Sequence, residues 1–165
     1  METSSSVLDS AIQFVSPASV LKTEGIVQIS NDLSSFTLKN LGSGLNAELV
    51  LDYGRCEGGF PIFFFIISAS APKGQQQIAF QLTYSETIEG IDNENGDGPF
   101  FLFSNAMDSY RVCHHYAGAT NDPQTIKSRF TQASQRYEKI TLIEPNTTIV
   151  FSEIGFQPSR PPASV

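Results

Sequence analysis

Residues Gln77 to Tyr84 alternate strictly: Ile78, Phe80, Leu82 and Tyr84 are large and apolar, and the residues between them are small or polar. A period of two puts those four side chains on one face of a strand, and no helix can gather them onto one side. Glu48 to Tyr53 repeats the pattern, with Leu49, Leu51 and Tyr53 on the inner face. Pro61 to Ile67 is apolar at nearly every position, as expected of a strand buried on both faces. Gly25–Ser30, Ser35–Lys39, Ser109–Tyr116, Arg136–Ile143 and Thr148–Phe156 are rich in Ile, Val, Phe, Tyr and Thr, residues that suit a pleated, half-buried surface.

Turn formers fall between these runs. Asn40-Leu41-Gly42-Ser43-Gly44, Ala71-Pro72-Lys73-Gly74 and Glu144-Pro145-Asn146 stand where hairpins or sheet crossings belong. No stretch of eleven residues carries the i, i+3, i+4, i+7 apolar spacing of an amphipathic helix. Eight or so short strands so spaced predict an all-β fold, an antiparallel β-sandwich of jelly-roll-like form. The 165 residues suit one domain. It is expected over residues 12–158, with an edge strand at Ile12 to Val15. A Ser-rich, weakly ordered N-terminus over 1–11 would precede it, and a Pro-rich tail over 159–165 would follow.

Seventeen acidic residues against ten basic ones give a net charge of −7. That balance excludes nucleic acid as a partner, because phosphate recognition runs on Lys and Arg, and it disfavours an anionic membrane surface. The longest apolar run, Phe60 to Ile67, is broken by Pro61 and far short of the about 20 residues of a membrane span. The N-terminus has neither a basic nor an apolar region of a secretory leader, so a cytoplasmic location is the default expectation. Cys56 and Cys113 are too few for a disulfide framework; they could form one bridge, which spacing cannot show, and single buried thiols are the preferred reading.

The acids are not spread evenly. Ser85 to Asp108 carries six carboxylates (Glu86, Glu89, Asp92, Glu94, Asp97 and Asp108) and no Lys or Arg. Loops of this length are uncommon unless functional or disordered. Phe100, Phe101 and Phe103 would anchor this one against the sandwich. Asp, Asn and Glu side chains bond sugar hydroxyls, and aromatic faces cover apolar sugar faces, so a carbohydrate or other small molecule is the expected partner. Arg55, Glu57, Asp92, Glu94, Asp97, Phe100 and Arg111 are the candidate ligand-binding residues. Calcium is a second candidate, because Asp and Asn are hard oxygen ligands, yet the Asp92, Glu94, Gly96 spacing misses the EF-hand pattern. No metal site and no cofactor are expected. The bland reading is a turn-rich connection in which Asn-Gly and Asp-Gly supply positive φ.

Gly54-Arg55-Cys56-Glu57-Gly58-Gly59 lacks phosphate-loop spacing and reads as a sharp chain reversal, with Arg55 and Glu57 pairing toward the acidic loop. His114 and His115 are adjacent on a predicted strand, so they face opposite ways and cannot chelate one metal together. They are the candidate acid/base groups, with Glu86 or Asp108, for a pocket between the sheets lined by Phe63, Phe65, Tyr84, Phe103, Tyr110 and His114.

Five segments carry a family resemblance. Leu51 to Pro61, LDYGRCEGGFP, is similar to the LDYGRxxGGxP segment of fungal α-L-rhamnosidase-like glycoside hydrolases. Ser134 to Leu142, SQRYEKITL, resembles a later strand of the same proteins, and Tyr84-Ser85-Glu86, Asp97-Gly98-Pro99-Phe100 and Ser109-Tyr110-Arg111 resemble segments between them. The likeness extends over roughly Ile12 to Pro161. It implies the β-sandwich that precedes an (α/α)₆ catalytic barrel. The family's general acid and base reside in that barrel, so the resemblance places no catalytic residue in this chain. Cys56 departs from the acidic or apolar residue expected at its position.

A noncatalytic, carbohydrate-associated sandwich module follows as the leading expectation, binding glycans or docking to a catalytic barrel. The alternatives are a stand-alone small-molecule enzyme with a pocket between its sheets, and a truncated hydrolase fragment with only a structural role.

Overall fold

The computed structural model describes residues 14–69, 77–92, 112–118, 120–128 and 131–159. Among them are nine strands: β1 (Ser19–Glu24), β2 (Ile26–Ile29), β3 (Phe36–Asn40), β4 (Ala47–Ala69), β5 (Gln77–Ser85), β6 (Val112–Gly118), β7 (Gln124–Lys127), β8 (Gln132–Leu142) and β9 (Thr147–Pro158). One 3₁₀ turn, Glu89–Asp92, follows β5. Every pairing is antiparallel.

β4 organises the molecule. Its 23 residues would run roughly 75 Å if straight, nearly twice the width of a domain this size. It therefore bends and serves two sheets. Its first part, Ala47 to Asp52, lies between β1 and β8, and the first sheet has the order β6-β5-β8-β4-β1. Its second part, from Gly59 onward, lies between β9 and β7, and the second sheet has the order β2-β3-β9-β4-β7. Two five-stranded antiparallel sheets sharing one strand make a β-sandwich. The alternating segment Glu48–Tyr53 and the continuous apolar run Pro61–Ile67 are thus parts of one strand.

The core lies between the inner faces. The first sheet contributes Leu49, Leu51, Ile78, Phe80, Leu82, Ile140 and Leu142; the second contributes Phe36, Leu38, Phe63, Phe65, Ile67, Ile149, Phe151, Ile154 and Phe156. Phe63, Phe65, Phe80 and Phe151 pack edge-on or tilted, with centroids 5.7–6.4 Å apart. Each such ring, fully buried, contributes about 1.5–3 kcal/mol from burial alone. Along β9 the inward residues change parity, from Ile149 and Phe151 to Ile154 and Phe156. A register shift opposite Phe64 and Phe65 inserts one extra residue there and keeps all four side chains inside.

The continuous apolar run of β4 is not buried on both faces. Phe63, Phe65 and Ile67 point into the core, but Phe64 is half-buried and Ile66 is exposed, because among the described residues no third layer covers that face. Pro61 is accommodated inside β4 for a specific reason. Its carbonyl accepts from Ser128 N at 2.8 Å, and a residue's N and O point to the same strand edge. The missing N–H therefore faces the end of β7, whose ladder begins only at Ile62, so no sheet bond is lost. At the far end of the sandwich, buried Asn40 donates to the carbonyls of Leu142 and Ile143 (3.1 and 3.0 Å) and accepts from Gly42 N at 2.8 Å. One side chain thereby joins the β3–β4 and β8–β9 turns.

The strands expected at Gly25–Ser30, Ser35–Lys39, Arg136–Ile143 and Thr148–Phe156 correspond to β2, β3, β8 and β9, and the one expected at Ser109–Tyr116 overlaps β6. β1 and β7 were not expected; Ser-Val-Leu-Lys-Thr-Glu and Gln-Thr-Ile-Lys bury little and belong to sheet edges. Near Ile12 to Val15 the described part is a bridge, Val15 to Phe156. The 1–11 and 160–165 segments lie outside the described residues.

Candidate functional site at the seam between the sheets

The two longest segments that carry the family resemblance are neighbours in space. Asp52 pairs with Tyr137, Leu51 with Glu138, and, past the bend, Glu57 with Gln135. Five steps along β4 are matched by two along β8, so β4 bulges at Tyr53 to Cys56. Gly54 sits in the bulge with φ +77°, a conformation a side chain with Cβ resists. Gly59, just beyond, has the Gln157 carbonyl lying where a Cβ would go.

Asp52 fastens this bend from outside. Its Oδ1 accepts from Gly54 N at 2.6 Å and from Arg136 Nε at 2.8 Å, and Oδ2 accepts from the other end of the guanidinium at 2.9 Å. The guanidinium hydrogen bonds hold the Asp52 carboxyl below its ordinary range, with the Gly54 amide adding to the effect. The Arg136 guanidinium also lies over the Tyr137 ring, 5.1 Å from its centroid.

Inside the bend is a buried acid. Glu138 is fully buried and accepts from Tyr53 Oη at 2.6 Å. Tyr53 and Tyr84 both pack edge-on against Phe156 (4.9 and 5.8 Å). Loss of hydration pushes the Glu138 carboxyl up to about 7, although the Tyr53 and Tyr84 hydroxyls favour its ionised form. Burial, then the neighbouring Glu138 charge, raises the Tyr53 phenol well above its ordinary value, so it stays a donor. On β8 the buried residues Gln135 and Glu138 are three apart, with half-exposed Arg136 and Tyr137 between them, where a regular strand would put two or four. Both polar atoms of the Gln135 amide and Oε1 of Glu138 are buried without a hydrogen-bond partner among the described residues. Left dry, three such atoms would cost about 3–9 kcal/mol together, as much as the whole stability of a typical domain.

Glu138 was not among the residues singled out in the sequence, and neither was Gln135. The signal was there for Glu138, which shares parity with Ile140 and Leu142 and so places a carboxyl on an apolar face. Gln135 has the opposite parity, and only the bulge turns it inward.

The residues expected to bind ligand are only partly described. Arg55 is exposed on the bend, and Glu57 lies in β4 with its side chain outside the described set. Asp92 closes the 3₁₀ turn and meets Lys139 Nζ at 3.0 Å and Lys22 Nζ at 3.9 Å. These ion pairs draw its carboxyl down, the Lys139 hydrogen bond having the largest effect. The start of the acidic loop is thus laid over the first sheet by β1 and β8. Glu94, Asp97, Phe100, Asp108 and Arg111 lie outside the described residues. Glu86 is exposed just after β5. His114 and His115 are in β6, in register with Gln81 and Phe80, and their side chains are outside the described set.

Two expectations are corrected. Cys56 is a free, exposed thiol on the bend, because the bulge turns that stretch outward. The proposed pocket wall does not hold for Phe63, Phe65 and Tyr84. They are at most 1% exposed and pack on the rings of Phe80, Phe151 and Phe156, so they are core. Among the described residues no group of three His, Cys, Asp or Glu is placed to hold a metal ion, and no helix is long and apolar enough to cross a membrane.

No protein-family model and no curated protein sequence matches the chain. Solved structures do. A rhamnosidase from Klebsiella oxytoca with rhamnose bound superposes with a TM-score of 0.60 at 15% identity, over 88% of this chain and 28% of that one. A GH78 family rhamnosidase of Bacillus sp. GL1 superposes with a TM-score of 0.52 at 16% identity, over 73% and 11% respectively. The chain shares its fold with a β-domain of these rhamnosidases. It spans about a quarter of the first enzyme and a ninth of the second.

Proposed function

We propose that this chain is a noncatalytic, carbohydrate-associated β-sandwich module, an accessory domain that binds glycan or packs against a rhamnosidase-type catalytic barrel. The observation that carries this reading is the fold likeness to a rhamnosidase β-domain. The sequence resemblance supports it independently, since its two longest segments are the strands that form the seam. Sugar contact is proposed on the outer side of the first sheet and at the bend. Arg55 and Asp92 would supply charged groups there, and Glu57, Glu94, Asp97, Phe100 and Arg111 are the further residues proposed to bind the sugar. The exposed polar groups that meet on this side suit hydroxyl recognition, and the Tyr137 ring beside them offers a partly apolar face.

Titration of the isotope-labelled protein with L-rhamnose and a glycan array tests the reading, alongside mixing with a separately expressed barrel. Saturable amide shifts at the bend and at residues 89–92, weakened in Asp92→Ala, are expected. No sugar response, combined with a monodisperse monomer that ignores the barrel, would overturn it.

A further inference from the structure

The polar atoms enclosed at the seam are the feature that neither the proposed function nor the fold likeness accounts for. Gln135 presents a donor and an acceptor, and Glu138 Oε1 presents an acceptor, and among the described residues none lies within hydrogen-bonding geometry of these three atoms, the Tyr84 hydroxyl acting on the carboxyl only from beyond it. Both side chains are fully buried. The cost of leaving such atoms dry is comparable to the stability of a domain, so something must bond them. The partner must donate to a carboxylate and also serve both ends of an amide. Water does all of this.

We propose that the seam between β4 and β8 holds a short chain of ordered internal water, bound to the Gln135 amide and the Glu138 carboxyl. Gln135 faces inward where β8 breaks its alternation, beside the stretch in which the β4–β8 register is irregular. Gln135 and Glu138 are three residues apart on β8, roughly 10 Å at full extension, so more than one water is needed to serve both. The groups facing the carboxyl are Tyr53 from β4 and Tyr84 from β5, both neutral phenols, with the Phe156 ring packed against both phenols from β9. Asp52 and Arg136, the charged pair next to the bend, are bound to each other.

The test is a high-resolution crystal structure of the chain, with protein–water cross-relaxation NMR in solution and a carboxyl ¹³C titration of Glu138. Ordered water within hydrogen-bond distance of Gln135, seen in both, is expected. In Gln135→Leu the water should be lost, and the Glu138 midpoint should rise by about one pH unit or more, because the carboxylate loses a hydrogen-bonded donor. A dry seam in the wild-type protein overturns the proposal whether or not the variant folds. An unchanged Glu138 midpoint in a folded Gln135→Leu protein overturns it as well.

Discussion

Glu138 decides the pH dependence at the residue scale. Its carboxyl titrates near 4.5 when exposed and is pushed up to about 7 by burial. The folded state therefore holds a proton that the unfolded chain releases. That contribution is fully present below about pH 4.5 and is lost as pH rises through 7. A shift of this size corresponds to about 3 kcal/mol. Glu138→Gln keeps an acceptor for Tyr53 Oη but cannot ionise. The variant is expected to gain on the wild type by about 3 kcal/mol between pH 4.5 and 8, read from urea unfolding at a series of pH values. Parallel pH profiles for the two proteins would mean that Glu138 is not the buried proton site. The same residue shows why the seam was hard to read in advance. A Glu in a strand-forming run is ordinarily assigned to solvent, and only its parity with Ile140 and Leu142 gives it away.

At the scale of elements, legibility followed periodicity. β5 alternates without interruption and was readable at once. The two parts of β4 were each readable, but their union was not. The residues joining them, Gly54 to Gly59, look like a turn, and only the shared pairing with β8 and β9 makes them strand. β1 and β7 carry no apolar alternation because edge strands bury little, so their existence depends on β4 as a partner. The segment before β1 depends on a glycine. Val15 exchanges backbone hydrogen bonds with Phe156 at 2.9 and 3.0 Å. That approach is possible because Gly155 has no Cβ: one placed there would run into the Val15 carbonyl and lie 2.7 Å from the Phe14 ring. Gly155→Ala should detach this segment while leaving β9 paired with β4. Hydrogen exchange would show it as lost protection at Val15 with little change at Ile149 and Phe151. Unchanged protection at Val15 would contradict the steric argument.

For the whole molecule, the shared strand sets cooperativity. Two sheets joined only by loops could open separately. Here β4 is a central strand of both, and its side chains from Leu49 to Ile67 run through one continuous core. Opening the second sheet exposes the inner faces of β5 and β8, because Phe63 and Phe65 pack directly on Phe80 across the sandwich. A perturbation in one sheet is therefore felt in full by the other. Phe63→Ala is expected to cost about 3–5 kcal/mol. In native-state hydrogen exchange, the most protected amides of β5 in the first sheet and β9 in the second should fall by the same amount, since both exchange through one global opening. If β9 lost protection while β5 kept its own, the sheets would be separate folding units and β4 a linker between them. Equal loss would mean that the bend fastened by Asp52 and Arg136 transmits strain without yielding, as a strand shared by two sheets requires.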